Sequence, residues 1–508
     1  MKINKYIGIL LGMFVYVTAC DNESLEDTYK EYAGKGEIRY IGRCTDVLVS
    51  SGWKRIITTW GNNEDPCIKK VKVKWDLDGV QDSVLLDRGT TTYSIKTLNG
   101  NELDDGNYRI SVSSVDANGN TSIPNTVYGR PYTHNHEEIM AFNRLISKIF
   151  IIQDRLALSF LGWQDNIRKA SLKYTKKDGS ADSLILDKEL VNQLYYLLPD
   201  AIDPSKPLKL YRQGELADCQ DVIDFEPYEF TSLRSYEADF KQEMKRQFGI
   251  DEITDSWADQ QETLYLDWSI SSMIDLLNFP NLKKVVLGSN RYQSDEGAAD
   301  TVYGQSTLAD KDATNFAIKV MKQLNNVTVE RYNKHFQGID VSYVEEKGNT
   351  NLEPDANLID LSSADISILP EDDENYPSHL ENLIDGNYNT NWTPLYMTTF
   401  ASYELTFDLK SAHQLKGLRL VQRQFSENAA EISIAPDVVK IYVSNNLMNW
   451  TLASNVEEHP LGKSQGEINY INFTNEVKAS EYRYVQVRIN AGSFAQYYYS
   501  SIAEISIY

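Results

Sequence analysis

The chain has 508 residues, 42% hydrophobic and 24% charged, more than one core can serve; about three or four domains are expected. Fifty basic residues against 73 acidic ones leave a net charge of −23. No basic cluster offsets it, which excludes a nucleic-acid partner held by its phosphates and leaves neutral ligands and cations.

In chain order, "MKINKY" is a short basic segment and "IGILLGMFVYV" an apolar one too short to span a bilayer. "VTAC" closes it at Cys20 and resembles a bacterial lipobox, whose cysteine is lipidated and becomes the mature N-terminus. The resemblance implies a lipoprotein signal peptide over residues 1–19 and an outer-membrane, lipid-anchored protein facing outward. Residues 20–37 are acidic and polar; they resemble the surface-export tether of gut-bacterial lipoproteins and also read as a solvated linker. Three further cysteines follow. An exported chain permits a bridge between Cys44 and Cys67, with Cys219 a free buried thiol.

Residues 38–132 read as short strands and turns. "IKKVKVKWDLDG" alternates Val71, Val73 and Trp75 against Lys70, Lys72 and Lys74. "LDDGNYRISVSSVDANGNTSIP" resembles the last two strands of a fibronectin type III sandwich, and the stretch resembles an uncharacterised N-terminal domain of gut-bacterial surface lipoproteins. A weaker copy covers residues 133–229. Cys67–Asp87 aligns with Asn166–Asp187, Trp75 with Tyr174, and Asp78-Gly79 with Asp178-Gly179. Two tandem sandwiches are expected. Asp76 and Asp78 suit an Asp-Gly hairpin better than calcium, because the copy keeps only the turn.

Residues 230–336 change character. "SLRSYEADFKQEMKRQFGI" has helical period and a stop at Gly249; "DATNFAIKVMKQL" is a second helix and "VTVERY" a strand. Leu282, Val285, Leu287 and Asn290 fit the spacing of a leucine-rich-repeat strand, so a small α/β, leucine-rich-repeat-like unit is expected. Residues 337–358 are rich in Asn, Asp, Ser and Pro and read as a linker.

From residue 359 to 508 nearly every element alternates as a strand: "YELTFDL" places Tyr403, Leu405, Phe407 and Leu409 on one face. This predicts an antiparallel sandwich or jelly roll, so the fold class is mainly β and multidomain. In order and spacing, "NLIDGNYNTNW", "YELTFDL", "LKGLRLVQRQ", "VKIYVSNNLMNW", "YRYVQVRI" and "IAEISIY" resemble the discoidin, or coagulation factor 5/8 type C, domain, which includes the family-32 carbohydrate-binding modules. The oxygens of "NLIDGNYNTNW" suit one structural Ca2+: Asp385 offers a carboxylate, Gly386 a sharp bend, Asn387 and Thr390 carbonyl, amide or hydroxyl oxygens. The resemblance implies Glu504 as the closing carboxylate. The same residues also make an Asx-turn. Trp392 is assigned to the core.

Three loops are candidates to grip a ligand. They present Tyr396 and Phe400; Arg423, Gln424 and Phe425; and Tyr497, Tyr498 and Tyr499. A sugar needs an aromatic face for its C–H surface and planar groups for its hydroxyls, which Tyr396, Arg423, Phe425, Tyr497 and Tyr498 supply; the same aromatics also suit packing at the base of the domain. No enzymatic activity is expected. "GKSQG" (Gly462–Gly466) matches G-x-S-x-G but lies between strands with no helix after it. His134 and His136 lack a third metal ligand at a set spacing and read as a solvated linker. The expected partner is a glycan or cell-surface polysaccharide, with a surface transport complex as its setting. A protein partner on the discoidin-like face is the alternative, because the fold serves both.

Overall fold

The computed structural model describes residues 40–219, 221–231, 234–292, 304–347, 358–400, 402–424 and 433–508. The expected signal peptide, Cys20 and the acidic tether lie outside them. Among the described residues no helix is long and apolar enough to cross a membrane. The chain divides into two units: residues 1–143 with 164–170 and 211–227, and residues 144–163 with 171–210 and 228–508.

The first unit holds a β-sandwich. Strands Thr45–Gly52, Arg55–Gly61 and Thr92–Ile95 form one sheet; Val80–Asp87, Ile68–Leu77, Tyr108–Asp116 and Asn125–Gly129 form the other, in that order. Alternation does what the sequence implies: Val71, Val73 and Trp75 are buried, and the lysines between them are not. Asp78 and Gly79 both take positive φ, as a two-residue hairpin turn requires. The expected copy folds alike. Trp75 pairs with Asp82 across its hairpin, and Tyr174 pairs with Asp182 across the later one.

Two expectations in this unit are corrected. Cys44 and Cys67 form no disulfide. Cys44 is buried with Sγ 3.5 Å from Ser114 Oγ, while the backbone N–H of Cys67 donates to Asp65 Oδ1 at 2.8 Å. The His134–His136 stretch is not a solvated linker. His136 is buried against Tyr132, and its Nδ1 accepts the Glu138 N–H at the start of the turn Glu137–Met140. His134 packs edge-on to Trp53 and reaches Glu226 at 3.4 Å.

In the second unit, strands Ile146–Ile152, Arg155–Phe160 and Tyr195–Ala201 form a sheet. Its Phe150, Ile152 and Ala157 share one core with Leu264, Leu277, Leu287 and Met321 of the α/β region. There the strands Thr263–Leu266, Lys284–Leu287, Thr328–Arg331 and Glu345–Glu346 run parallel in chain order. Helix Ala238–Phe248 ends at Gly249 in the left-handed conformation, as the sequence implies. Helix Lys311–Asn325 ends likewise at Asn326. Leu282, Val285 and Leu287 are fully buried. The expected linker is ordered at its start: Glu345–Glu346 extends the parallel sheet, because its backbone can pair with Glu330 and Arg331.

The C-terminal sandwich has one sheet in the order Asp365–Leu369, Ser402–Gln414, Glu481–Asn490, Val438–Ser444, Thr451–Leu452. The other runs Arg291–Tyr292, Ile468–Asn472, Gly417–Gln422, Ile502–Ile507. Between them lie Trp392, Tyr403, Leu405, Phe407, Ile441 and Val487, all essentially inaccessible. Each such side chain contributes about 1.5–3 kcal/mol by leaving water. The edge strand Arg291–Tyr292 comes from the α/β region, so that region and the sandwich share a sheet.

Candidate functional site

An antiparallel ribbon positions both expected sites. Trp392 and Ile502 exchange backbone hydrogen bonds of 2.9 and 3.2 Å, and Met397 and Tyr498 exchange two of 2.8 Å. At the Met397 end, strands Gly492–Phe494 and Tyr497–Tyr499 form a hairpin. Its turn, Ala495-Gln496, takes positive φ at both residues, which fixes the direction in which Tyr497 leaves it. Tyr497 meets Tyr396 there, with ring centroids 4.3 Å apart and planes at 56°. Both are solvent-exposed, at 41% and 51%. Phe400 stands edge-on to Tyr498 at 6.2 Å. Tyr499 turns away onto Ile434 and Ala435.

The structure thus brings Tyr396 to Tyr497 and Phe400 to Tyr498, while Tyr498 also packs against the sandwich core. The Arg423 carbonyl accepts the Gly466 N–H at 3.3 Å. Phe425 lies outside the described residues. Exposed, rigid rings present an apolar face with phenolic oxygens at its rim, a surface on which a sugar C–H face stacks.

At the Trp392 end lies the loop of Asp385, Asn387 and Thr390. Asp385 Oδ1 accepts the Asn387 N–H at 2.8 Å, an Asx-turn, and Asp385 Oδ2 accepts the Thr390 hydroxyl at 2.7 Å. The Asn387 carbonyl faces the same hydroxyl at 2.6 Å. Glu504, on Ile502–Ile507, accepts the Gly386 N–H at 3.2 Å. Glu504 is 4% exposed, and no ion pair reaches it among the described residues. Burial, and then the nearby Asp385 charge, push its pKa up to about 7. The Gly386 N–H and the Arg419 charge oppose that rise only in part, and two carboxylates, a carbonyl and a hydroxyl around a buried carboxylate suit a hard cation. Among the described residues no cluster of three or more His, Cys, Asp or Glu is placed to hold a metal, so carbonyl and hydroxyl oxygens would complete the shell. Trp392 is core: fully buried, its Nε1–H donates to Ser378 Oγ at 3.0 Å.

A third arrangement escaped the sequence reading. Arg291, on the edge strand, donates Nε–H to Glu467 Oε1 at 3.0 Å, and its Nη2 lies 2.9 Å from the same oxygen. Its other N–H groups donate to Ser306 Oγ at 2.8 Å and Gly304 O at 2.9 Å, and the guanidinium lies 4.0 Å from the Trp268 ring centroid. Burial holds the Glu467 carboxyl above its usual range, with Arg291 opposing. His335 accepts the Ser306 N–H at Nδ1 (2.9 Å), so Nε2–H donates to Arg291 O at 3.1 Å. Burial, then Arg291, lower its pKa to about 3 and keep it neutral. The "GKSQG" segment belongs to this joint. A Cβ at Gly462 would stand 1.7 Å from Glu467 Oε1, so only glycine lets the carboxylate approach. No helix follows; the strand Ile468–Asn472 does. The glycines were visible in the sequence, but nothing local joined their neighbour Glu467 to Arg291, 176 residues away.

Residues 362–505 match the F5/8 type C domain family, and residues 20–208 match DUF4998, a domain of unknown function. The discoidin resemblance read from the sequence therefore holds over residues 362–505, and the N-terminal stretch is an uncharacterised domain, as read. No curated protein matches the chain. Among solved structures the chain is similar to CpGH89CBM32-5 of Clostridium perfringens, in complex with GalNAc-β-1,3-galactose: 15% identity over 30% of this chain and 99% of that one, TM-score 0.24. It is also similar to the family 32 carbohydrate-binding module of C. perfringens NanJ, in complex with galactose: 20% identity, 30% and 96% coverage, TM-score 0.23. A two-domain fibronectin type III segment of chicken tenascin is similar at 12% identity, 37% and 98% coverage, TM-score 0.19.

Proposed function

We propose, starting from the F5/8 type C domain at residues 362–505, that this chain is a glycan-binding protein anchored by lipid at Cys20 to the outer membrane and facing outward. It captures polysaccharide through that domain. The observation that carries the reading is the exposed Tyr396–Tyr497 pair, built on a rigid ribbon at the loop end of the sandwich. Two rings at 56° offer a corner rather than a flat face, which suits a terminal or branched sugar. Asp385, Asn387, Thr390 and Glu504 would hold one calcium ion; bound there, it neutralises the buried Glu504 and clamps the loop to the last strand. It has no contact with the sugar in this reading, because four residues, Thr393 to Tyr396, separate the bridge at Trp392 from the one at Met397.

A second reading has an observation of its own. Leu395 and Phe400 are exposed beside the tyrosines, an apolar rim that also fits a protein partner. A glycan array with the chain from Cys20 onward separates the two. Binding to a sugar that is weakened about 3- to 10-fold in Tyr497→Ala supports the glycan reading. No sugar bound, with a protein recovered by cross-linking at Tyr497, overturns it in favour of the adhesive one. Protease shaving of intact cells tests the address: a protein protected from protease is not on the surface.

A further inference from the structure

The joint between the α/β region and the sandwich opens into a cleft of ≈ 480 Å3 that shares no lining residue with the tyrosine hairpin and is assigned to nothing above. Its wall mixes rings and amides. Tyr265, on the strand Thr263–Leu266, is 39% exposed, and its ring lies 6.5 Å from that of Phe248. Tyr470 supplies a third ring from the opposite side. Asn290 is fixed by two bonds to Asp267, and its carbonyl accepts the Tyr470 N–H at 2.9 Å. The Asn455 amide donates to the Arg246 carbonyl at 3.0 Å and so spans the joint. These amides are therefore held in place before any ligand arrives.

The charge in this cleft is opposite to that of the whole molecule. In a chain with 73 acidic residues, no Asp or Glu lines it, and one lysine, Lys478, does. Lys478 is half-buried and makes no ion pair among the described residues. Burial and then the neighbouring Lys416 lower its pKa. The Lys416 carbonyl accepts the Phe473 N–H at 2.9 Å, so its backbone runs beside the wall without lining it. Two lysines without a carboxylate partner make a local attraction for an anion, while rings and fixed amides suit a polyhydroxylated ring. The volume lies within the usual range of small-ligand pockets.

We propose that this cleft is a second ligand site, for a sugar bearing a carboxylate, with Tyr265 as stacking face and Lys478 as the cation. It is separate from the Tyr396–Tyr497 site. The test uses the chain from Cys20 onward and saturation-transfer NMR with glucuronate, N-acetylneuraminate and glucose, followed by titration. Glucuronate and N-acetylneuraminate distinguish a hexuronate from a nonulosonate; at least one should bind, and glucose more weakly. Lys478→Gln and Tyr265→Ala should each weaken the acidic sugar about tenfold or more, while Tyr497→Ala leaves it unchanged. Near-UV circular dichroism of both cleft variants should match the parent, which separates lost contacts from lost fold. No binding of either acidic sugar overturns the proposal, as does equal binding by Lys478→Gln. Loss in Tyr497→Ala, with Lys478→Gln unaffected, assigns the acidic sugar to the tyrosine site instead.

Discussion

Two places on the C-terminal sandwich solve opposite problems. At the tyrosine hairpin, Tyr396 and Tyr497 leave apolar faces in water, and the backbone alone holds them. At the joint with the α/β region, Arg291 and Glu467 are 5% and 0% exposed, and the side chains hold each other. The first place gives up burial to keep a surface available. The second accepts the cost of burying two charges, offset by a full set of hydrogen bonds and a stacked Trp268. The difference teaches where rigidity comes from: the recognition end inherits its geometry from the ribbon, and the joint makes a domain boundary behave as one core.

The comparison breaks most readily at the joint. Arg291→Ala leaves Glu467 buried and alone, so it should cost about 3–5 kcal/mol in urea denaturation. The pair Arg291→Met with Glu467→Leu should recover most of that, because the orphaned carboxylate is the source of the loss. A fragment of residues 359–508 lacks the edge strand Arg291–Tyr292 and should melt well below one of residues 144–508, which keeps both that strand and the core of the α/β region. A loss under about 1 kcal/mol for Arg291→Ala would mean the joint is only a contact.

The next effect concerns Glu504 and sharpens the contrast between a buried carboxylate held in a close ion pair and one that Arg419 opposes only in part. Its folded pKa, about 7, stands above the ordinary 4.5, so the folded form holds the proton more tightly. Without calcium, stability should therefore fall as pH rises from 4.5 through 7, by at most about 3 kcal/mol for this group. Glu243, pushed up to about 7 chiefly by burial, falls in the same window, so the measurement is the difference between the parent and Glu504→Gln. Calcium should abolish that difference. A pH slope unchanged in Glu504→Gln sinks the assignment.

Asp385→Ala should remove the calcium-dependent part of the melting temperature. At about 100 times the dissociation constant that part is roughly 2.7 kcal/mol. The parent should lose the same amount in chelator, and glycan binding should move little. A melting temperature indifferent to chelator leaves the loop as a turn only. The smallest stability effect belongs to Tyr497→Ala: within about 0.5 kcal/mol, because the ring is already half in water. Its binding effect should be about 3- to 10-fold, the worth of one stacked face, read by calorimetry with the best array sugar.

Periodicity is local, and what depended on it was legible. Val71, Val73 and Trp75 face inward, Tyr403 to Leu409 alternate, Gly249 ends its helix, and Trp392 is core. The loop of Asp385 to Thr390 could be nominated because its oxygens crowd into six residues. Tyr396 and Tyr497 could be nominated one by one, but their meeting needed the ribbon that pairs Met397 with Tyr498. Cys44 and Cys67 show the limit from the other side: sharing a domain says nothing of whether two Sγ atoms meet, and Cys44 turned to Ser114 instead. Only the tertiary structure decided that Arg291 leaves the α/β region to edge a sheet of the sandwich. It decided too that Gly462 makes room for Glu467, and that acid-free walls enclose a cleft between them. The physical reason is common to all three. A strand pattern records which face is buried, but a sheet edge accepts any backbone that reaches it, and a buried charge takes its partner from wherever the chain returns.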